Sequence, residues 1–174
     1  MQQALIHHYF SDKDGLYRDV LALGLAAMSA EGWQILQRLA KDKDAARIRP
    51  LVEAFADMLV RFYTTHGSLL AILRHDIDSD SDRTAVATQI IADHVKPVFD
   101  AVVAYIEALK KGKKIRKDVH ARHLCISALA MASITTQEER MLRGVWPIDI
   151  RSEAFLAERK REIVEMVLAR IVVS

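Results

Sequence analysis

The sequence predicts an all-α protein built as a helical bundle. Hydrophobic residues recur with helical spacing through most of the 174 residues, and no stretch shows the strict alternation of a strand. Ala, Leu, Glu, Lys and Arg are abundant, and only 6 Gly and 3 Pro interrupt the chain, which favours helix throughout. A hydrophobic content of 51% is enough to build a substantial core in one domain.

Charge and cysteine content narrow the class of protein. The chain has 25 Lys and Arg against 23 Asp and Glu, a net charge of +2, which does not suit a polybasic nucleic-acid coat. The single cysteine, Cys125, excludes an internal disulfide and fits a reducing compartment. No apolar run has the length of a membrane span, and the N-terminus lacks a signal-peptide pattern. We therefore expect a soluble cytoplasmic protein that does not contact a membrane.

The first helices are predicted within residues 1–41. A short helix is expected over residues 2–10, and Ser11 followed by Asp14 resembles the capping box that starts a second helix. That second helix is predicted to run from Asp12 to about Lys41. Its apolar stripe, which we expect to be buried, consists of Leu16, Val20, Leu23, Trp33, Leu36 and Leu39.

Three more helices are predicted in the middle of the chain. The first runs from Pro50 to Gly67, because proline is tolerated in a first turn and glycine commonly follows a last turn. A short helix follows over Ser68–Leu73. Residues Asp76–Asp82 are predicted to form an acidic loop, and Arg83–Lys110 a long helix that contains Pro97.

The last third of the chain is predicted to hold two helices. The basic segment Lys110–Lys117 links them to the preceding helix, and a turn is expected at Trp146–Pro147. The first helix, from its predicted cap Asp118 to about Arg143, is apolar nearly all round in its middle, so we expect it to be buried on several faces. The second begins at the cap Ser152 and runs to Ile171.

Two features have some likeness to metal sites, and neither meets the requirements. In the acidic loop, Ser81 and Ala87 stand where a calcium loop of the EF-hand type needs Gly and Glu. His120 and His123 lie one helical turn apart, but Cys125 points to another side of the same helix. The zinc-protease, redox, phosphate-loop and serine-nucleophile motifs are absent from the sequence. We therefore expect no metal, no cofactor and no enzymatic activity.

The opening stretch contains Ile6-His7-His8-Tyr9-Phe10, then Asp12-Lys13-Asp14-Gly15-Leu16. This stretch resembles the TetR family of bacterial transcriptional regulators. The family pattern is Leu/Ile-Tyr-x-His/Tyr-Phe, followed by Ser-Lys-Glu/Asp-x-Leu. In the family these residues are the recognition helix of a helix-turn-helix and the start of the next helix. His7 departs from the pattern, because the family usually has Tyr there.

The resemblance implies that residues 1–20 are part of a helix-turn-helix and that palindromic operator DNA is the partner. Positions that touch DNA in the family are matched by Gln2, Gln3, Ala4, His7, His8, Tyr9 and Lys13. Of these, Gln3 and His8 suit base edges, and Lys13 at a helix N-terminus suits a phosphate.

The family places two further helices before this stretch. We therefore expect either that the coding sequence continues upstream of Met1, or that a product starting there has lost DNA binding. The alternative is a helical ligand-binding or dimerisation protein that does not bind DNA. Two further helices in frame upstream of Met1 would favour the regulator.

The resemblance also implies that residues 21–174 bind an unknown small-molecule effector and form a homodimer through the last two helices. Candidate ligand contacts between Pro50 and Thr135 are Phe62, His66, His94, Phe99, Val103, Met131 and Thr135. Candidate dimer contacts are Leu124, Ala128, Met131, Leu156, Ile163, Val167 and Ile171. An effector that prefers one spacing of the two DNA-reading heads would shift the population and release the operator. We therefore expect a ligand-responsive repressor.

Overall fold

The computed structural model describes residues 13–41, 48–79 and 82–172. Within these residues the chain forms seven helices and no strand, so the predicted all-α fold is confirmed. The helices are α1 (Lys13–Lys41), α2 (Ile48–Thr65), α3 (Gly67–Asp78), α4 (Asp82–Lys111), α5 (Ala121–Gln137), α6 (Glu139–Val145) and α7 (Glu153–Ile171). None of these helices is long and apolar enough to span a bilayer.

Helix α2 lies at the centre of the bundle. It packs against α1 on one side and against α5 and α7 on the other, while α1 runs along α4. Its apolar positions recur at helical spacing, so that Leu51, Leu59 and Phe62 are all buried. The most deeply buried large side chains of the bundle include Ile163 and Ile171 on α7. The core therefore extends along the whole length of α2.

The buried face of α1 differs from the prediction. Val20, Leu23 and Trp33, which were expected to be buried, are exposed. The face that packs inward carries Leu21, Leu25, Met28, Ser29, Gly32 and Ile35. The small residues account for the difference: a Cβ added at Gly32 would lie 2.7 Å from the Val98 side chain, and one at Gly24 would lie 2.7 Å from Leu69. Close approach of neighbouring helices, rather than the largest apolar stripe, sets the rotation of α1.

The predicted acidic loop is also partly helical. Asp76, Ile77 and Asp78 form the last turn of α3. Gly67, which was predicted to end the preceding helix, is instead the first residue of α3. The side chain of Asp76 is buried, and its backbone carbonyl accepts hydrogen bonds from the Thr84 hydroxyl at 2.7 Å and the Ser79 hydroxyl at 3.1 Å. These bonds tie the end of α3 to the start of α4.

The helix predicted from Asp118 to Arg143 is two helices. It begins at Ala121 and ends at Gln137, and after a turn at Glu138 the short α6 follows. Asp118 does not cap it. Its carboxylate instead accepts hydrogen bonds from Arg116 and from Arg170 on α7, which hold the pKa of Asp118 at about 2. The predicted cap at Ser152 is confirmed, because its hydroxyl accepts a 3.3 Å hydrogen bond from the Phe155 N–H.

A candidate ligand cavity

An apolar cavity lies inside the bundle and has two lobes. The first lobe, between α2, α4, α5 and α7, is a cavity of about 70 Å³ that is partly open to solvent. Its walls are Ile48, Leu51, Val52, Phe55, Ala56, Leu59, Val102, Ile106, Leu124, Cys125, Ala128, Ile163, Val167 and Ile171. None of these side chains is charged, so the lobe offers contact with hydrocarbon and little else.

The second lobe lies between α1, α2, α4 and α5, has a volume of about 100 Å³ and is again partly open to solvent. Its walls are Met28, Phe55, Met58, Leu59, Val95, Val98, Phe99, Val102, Cys125, Ala128 and Leu129. Five residues border both lobes, and we call them the waist: Phe55, Leu59, Val102, Cys125 and Ala128. The two lobes therefore share part of their apolar walls.

Helical periodicity places these side chains on common walls. On α2 the lining residues recur at three- and four-residue spacing from Ile48 to Leu59. This span of α2 corresponds to roughly 16 Å along the helix axis, at about 1.5 Å per residue. Val95 to Ile106 on α4 covers a similar length on the opposite wall. The two lobes together are thus elongated along the helices.

Cys125 lies at the waist and is half-buried. Burial raises the pKa of its thiol to about 11, and the nearby Arg122 guanidinium partly opposes this shift. The thiol is therefore protonated at neutral pH and is a poor nucleophile. Its position next to both lobes makes it a chemical reporter of what occupies the cavity.

The rim of the second lobe carries charge. The guanidinium carbon of Arg122 lies 5.9 Å from the centre of the Phe99 ring, which lines the lobe, and its outer side faces solvent. Arg122 also lies 3.6 Å from Asp100, a distance too long for a hydrogen bond. Lys96 donates to Asp100 at 2.6 Å and lowers the pKa of that carboxyl.

Of the seven predicted ligand contacts, Phe99 lines the cavity. Phe62 is buried in the core and stacks on His66, with ring centres 4.7 Å apart. His94, Val103 and Thr135 do not belong to either set of wall residues, and Met131 lines a separate groove on α5. The prediction selected apolar and polar residues from the right helices but from other faces of those helices.

The residues that form the waist were not predicted from the sequence as ligand contacts. Cys125 and Ala128 lie one turn apart on the face of α5 that meets α2, and Val102 lies opposite them on α4. Small residues at helical spacing, as at Cys125 and Ala128, are the sequence signal of such a shared wall. Without the packing of the helices, this signal does not distinguish a cavity wall from a tight helix contact.

Three predicted dimer contacts are covered by the chain itself, and this corrects the prediction. Ile163, Val167 and Ile171 are 1%, 6% and 0% exposed, because the apolar stripe of α7 packs on α2. Leu124 and Ala128 line the cavity, and Leu156 packs at the edge of the core.

The outer face of α5 is exposed instead. Ile126 and Ile134 are 50% and 44% exposed, with the small residues Ser127 and Ala130 between them. An open groove beside this face holds about 780 Å³ and has Met166, 56% exposed, on its α7 side. The prediction that α5 is buried on several faces is therefore wrong for the single chain.

The remaining predicted site residues are the DNA contacts at the start of the chain and the histidine pair at the start of α5. Gln2, Gln3, Ala4, His7, His8 and Tyr9 lie outside the described residues, and Lys13 is the first residue of α1. The rings of His120 and His123 are 6.2 Å apart on the surface. Among the residues that the structure describes, no group of three or more His, Cys, Asp or Glu is arranged to hold a metal ion.

The fold and the cavity define an all-α domain built around an apolar interior space. A family model described as "Tetracyclin repressor-like, C-terminal domain" matches residues 49–167, from the first turn of α2 into α7. This match covers more than half of the chain, and the protein belongs to the tetracycline repressor-like family. Domains of this family are regulatory rather than catalytic. A search of curated proteins finds no match to the chain.

Proposed function

We propose that the protein is a ligand-responsive repressor of the TetR type that acts in the cytoplasm. As a homodimer it binds palindromic operator DNA through the stretch Gln2–Lys13, and it releases the DNA when a small molecule occupies the cavity. The observation that supports this proposal is the apolar two-lobed cavity, most of whose wall residues lie in the region that the family model matches. Such a cavity leaves apolar wall atoms without contacts, and a ligand restores those contacts.

The proposed coupling runs through α1. This helix begins at Lys13, directly after the proposed DNA-reading stretch, and contributes Met28 to the wall of the second lobe. Its tight contact with α4 at Gly32 leaves little room for independent movement, so a shift of α4 is passed on to α1. A ligand with higher affinity for one arrangement of these helices shifts the population towards it. The mechanism is an equilibrium between two conformations, not a reaction.

The proposed dimer uses the exposed face of α5 together with Met166 on α7. Large apolar side chains on a continuous exposed helix face, with small residues between them, suit close contact with the same face of a second copy. We expect Ile134→Glu and Met166→Glu to give folded monomers, because each introduces a charge at the centre of the contact. Ile72→Glu on α3, with a similarly exposed side chain, is the matched control. Analytical ultracentrifugation measures the outcome, and a monomeric unmodified protein at micromolar concentration would refute the dimer.

DNA binding is tested in mobility-shift titrations with the full-length protein. The protein should bind a short palindrome as a dimer, with affinity that falls steeply as salt rises. If it ignores DNA at low salt, the protein is a helical ligand-binding or dimerisation protein instead.

Substitutions separate phosphate contacts from base contacts in the same titrations. Lys13→Ala should weaken binding to all sequences alike, since a phosphate contact carries no base information. Gln3→Ala and His8→Ala should relax sequence preference, at a cost of about 1–3 kcal/mol for each lost base contact. Mobility-shift assays against a randomised operator library measure both effects.

A further inference from the structure

The structure assigns a chemical class to the ligand, and this inference rests on the proposed function. We infer that the effector is an amphipathic anion: an unbranched alkyl chain that occupies the two lobes, with a carboxylate or similar head group at Arg122. The apolar walls of the two lobes support the alkyl chain, and the charged rim of the second lobe supports the head group.

The walls select the alkyl part. Every described side chain that lines either lobe is apolar except the thiol of Cys125, and burial keeps this thiol protonated. A charged or strongly polar group inside the lobes would lose its hydration without gaining a hydrogen-bond partner. The apolar walls follow α2 over roughly 16 Å, at about 1.5 Å per residue, and the two lobes share the residues of the waist. A flexible hydrocarbon chain can follow these walls, which a rigid polycyclic molecule cannot.

The rim selects the head group. Arg122 lies over the Phe99 ring and one turn before Cys125, so its guanidinium is close to both the lobe and solvent. The rim cluster of Lys96, Asp100 and Arg122 has two positive charges and one negative charge, a net charge of +1. A head group placed there stays hydrated on its outer side, so the cost of burying a charge is largely avoided.

Arg122 is also available to a new partner. Its nearest carboxylate oxygen, Asp100 Oδ1, is 3.6 Å away and is buried without a hydrogen-bond partner. The other oxygen of Asp100 is engaged by Lys96. An arginine can form two parallel hydrogen bonds with an incoming carboxylate, which the present arrangement with Asp100 does not provide.

The test compares two probes with the same alkyl chain, dodecanoate and dodecanol, at concentrations below micelle formation. Both should slow the reaction of Cys125 with a thiol reagent and should bind in calorimetry. Arg122→Gln should weaken dodecanoate binding roughly two- to five-fold, the range for an exposed ion pair, and leave dodecanol binding unchanged. Arg122→Lys should retain much of the dodecanoate affinity. Arg140→Gln on α6, which lines neither lobe, is the matched control.

A second pair of variants locates the chain. Ala128→Leu fills the waist and should abolish both the binding of either probe and the protection of Cys125, whereas Ala104→Leu, on the exposed side of α4, should preserve both.

If Arg122→Gln does not fold, ionic strength gives the same information with the unmodified protein. Salt should weaken dodecanoate binding and leave dodecanol binding unchanged.

The outcomes distinguish this inference from the proposed function. Equal binding of the two probes, with no effect of Arg122→Gln or of salt, would overturn the anionic head group while leaving a ligand-responsive repressor intact. Failure of both probes to protect Cys125 would overturn the alkyl chain as well. Absence of DNA binding by the full-length protein at low salt, with no ligand present, would refute the repressor without affecting the binding of either probe.

Discussion

The thiol of Cys125 gives the sharpest prediction, because its chemistry depends directly on the cavity. Burial raises its pKa from the usual 9.0 to about 11. At pH 8 the thiolate fraction in the folded protein is then roughly 100-fold lower than for a cysteine with the usual pKa, because the shift is about two units. The thiolate is the reacting species, and the greater nucleophilicity of the more basic thiolate offsets part of this factor. Alkylation of the folded protein should therefore be slower than that of the unfolded chain by roughly tenfold.

The pH dependence separates the pKa from simple obstruction. In the folded protein, the alkylation rate should rise about tenfold per pH unit through pH 10 without a plateau. In urea the rate should level off near pH 9, the ordinary range for cysteine. The measurement is iodoacetamide alkylation followed by mass spectrometry, and the single cysteine makes the assignment unambiguous. A plateau near pH 9 in the folded protein would refute the buried thiol, even if the reaction were slow.

The same shift predicts a stability effect whose sign follows from linkage. The pKa is higher in the folded state, so the protonated thiol favours folding fully below pH 9, and this contribution is lost as pH rises from 9 through 11. The full loss is roughly 3 kcal/mol for a shift of about two units. Cys125→Ala should therefore lose less stability than the unmodified protein over this interval. Arg122→Gln should raise the pKa further, because Arg122 favours the thiolate.

Four further predictions concern stability in urea denaturation at fixed protein concentration. Gly32→Ala should destabilise the protein by about 1–3 kcal/mol through overpacking, because its new Cβ would lie 2.7 Å from a valine methyl on α4. Gly144→Ala has open space around it and should stabilise α6 by up to about 1 kcal/mol. Ile163→Ala should cost about 2–5 kcal/mol, because it truncates a side chain that is only 1% exposed. Ser152→Ala should cost about 1 kcal/mol through loss of the helix cap. Asp118→Asn should reduce the loss of stability as pH falls from 4 towards 2, because Arg116 holds the pKa of Asp118 at about 2; an unchanged acid profile would contradict this.

Local signals in the sequence were sufficient for most helix boundaries. The cap at Ser152, the start of α2 just before Pro50 and the long helix around Pro97 each depend on a few neighbouring residues, and all were predicted. The errors occur where a boundary depends on distant groups. Asp118 was predicted to cap α5, but its carboxylate is used by Arg170, far along the chain on α7.

The orientation of each helix was harder to predict than its existence. Helix α1 has apolar residues on more than one side, so its sequence alone allows several buried faces. The chosen face is the one that carries Gly24 and Gly32, because the partner helices approach closely there. The same limit explains why Phe99 lines the second lobe while His94, five residues earlier on the same helix, is not among its wall residues.

The sequence by itself determined that the chain is all-α, that it resembles a TetR-type regulator, and which helices build its interior. These features follow from periodicity, capping residues and a short motif, all of which are local. Only the tertiary structure decided which faces meet, that Ile163 and Val167 belong to the core rather than to an exposed interface, and that Cys125 and Arg122 lie at the waist and rim of the cavity. A cavity is the space that several helices leave unfilled together, and so it depends on their mutual packing rather than on any one of them.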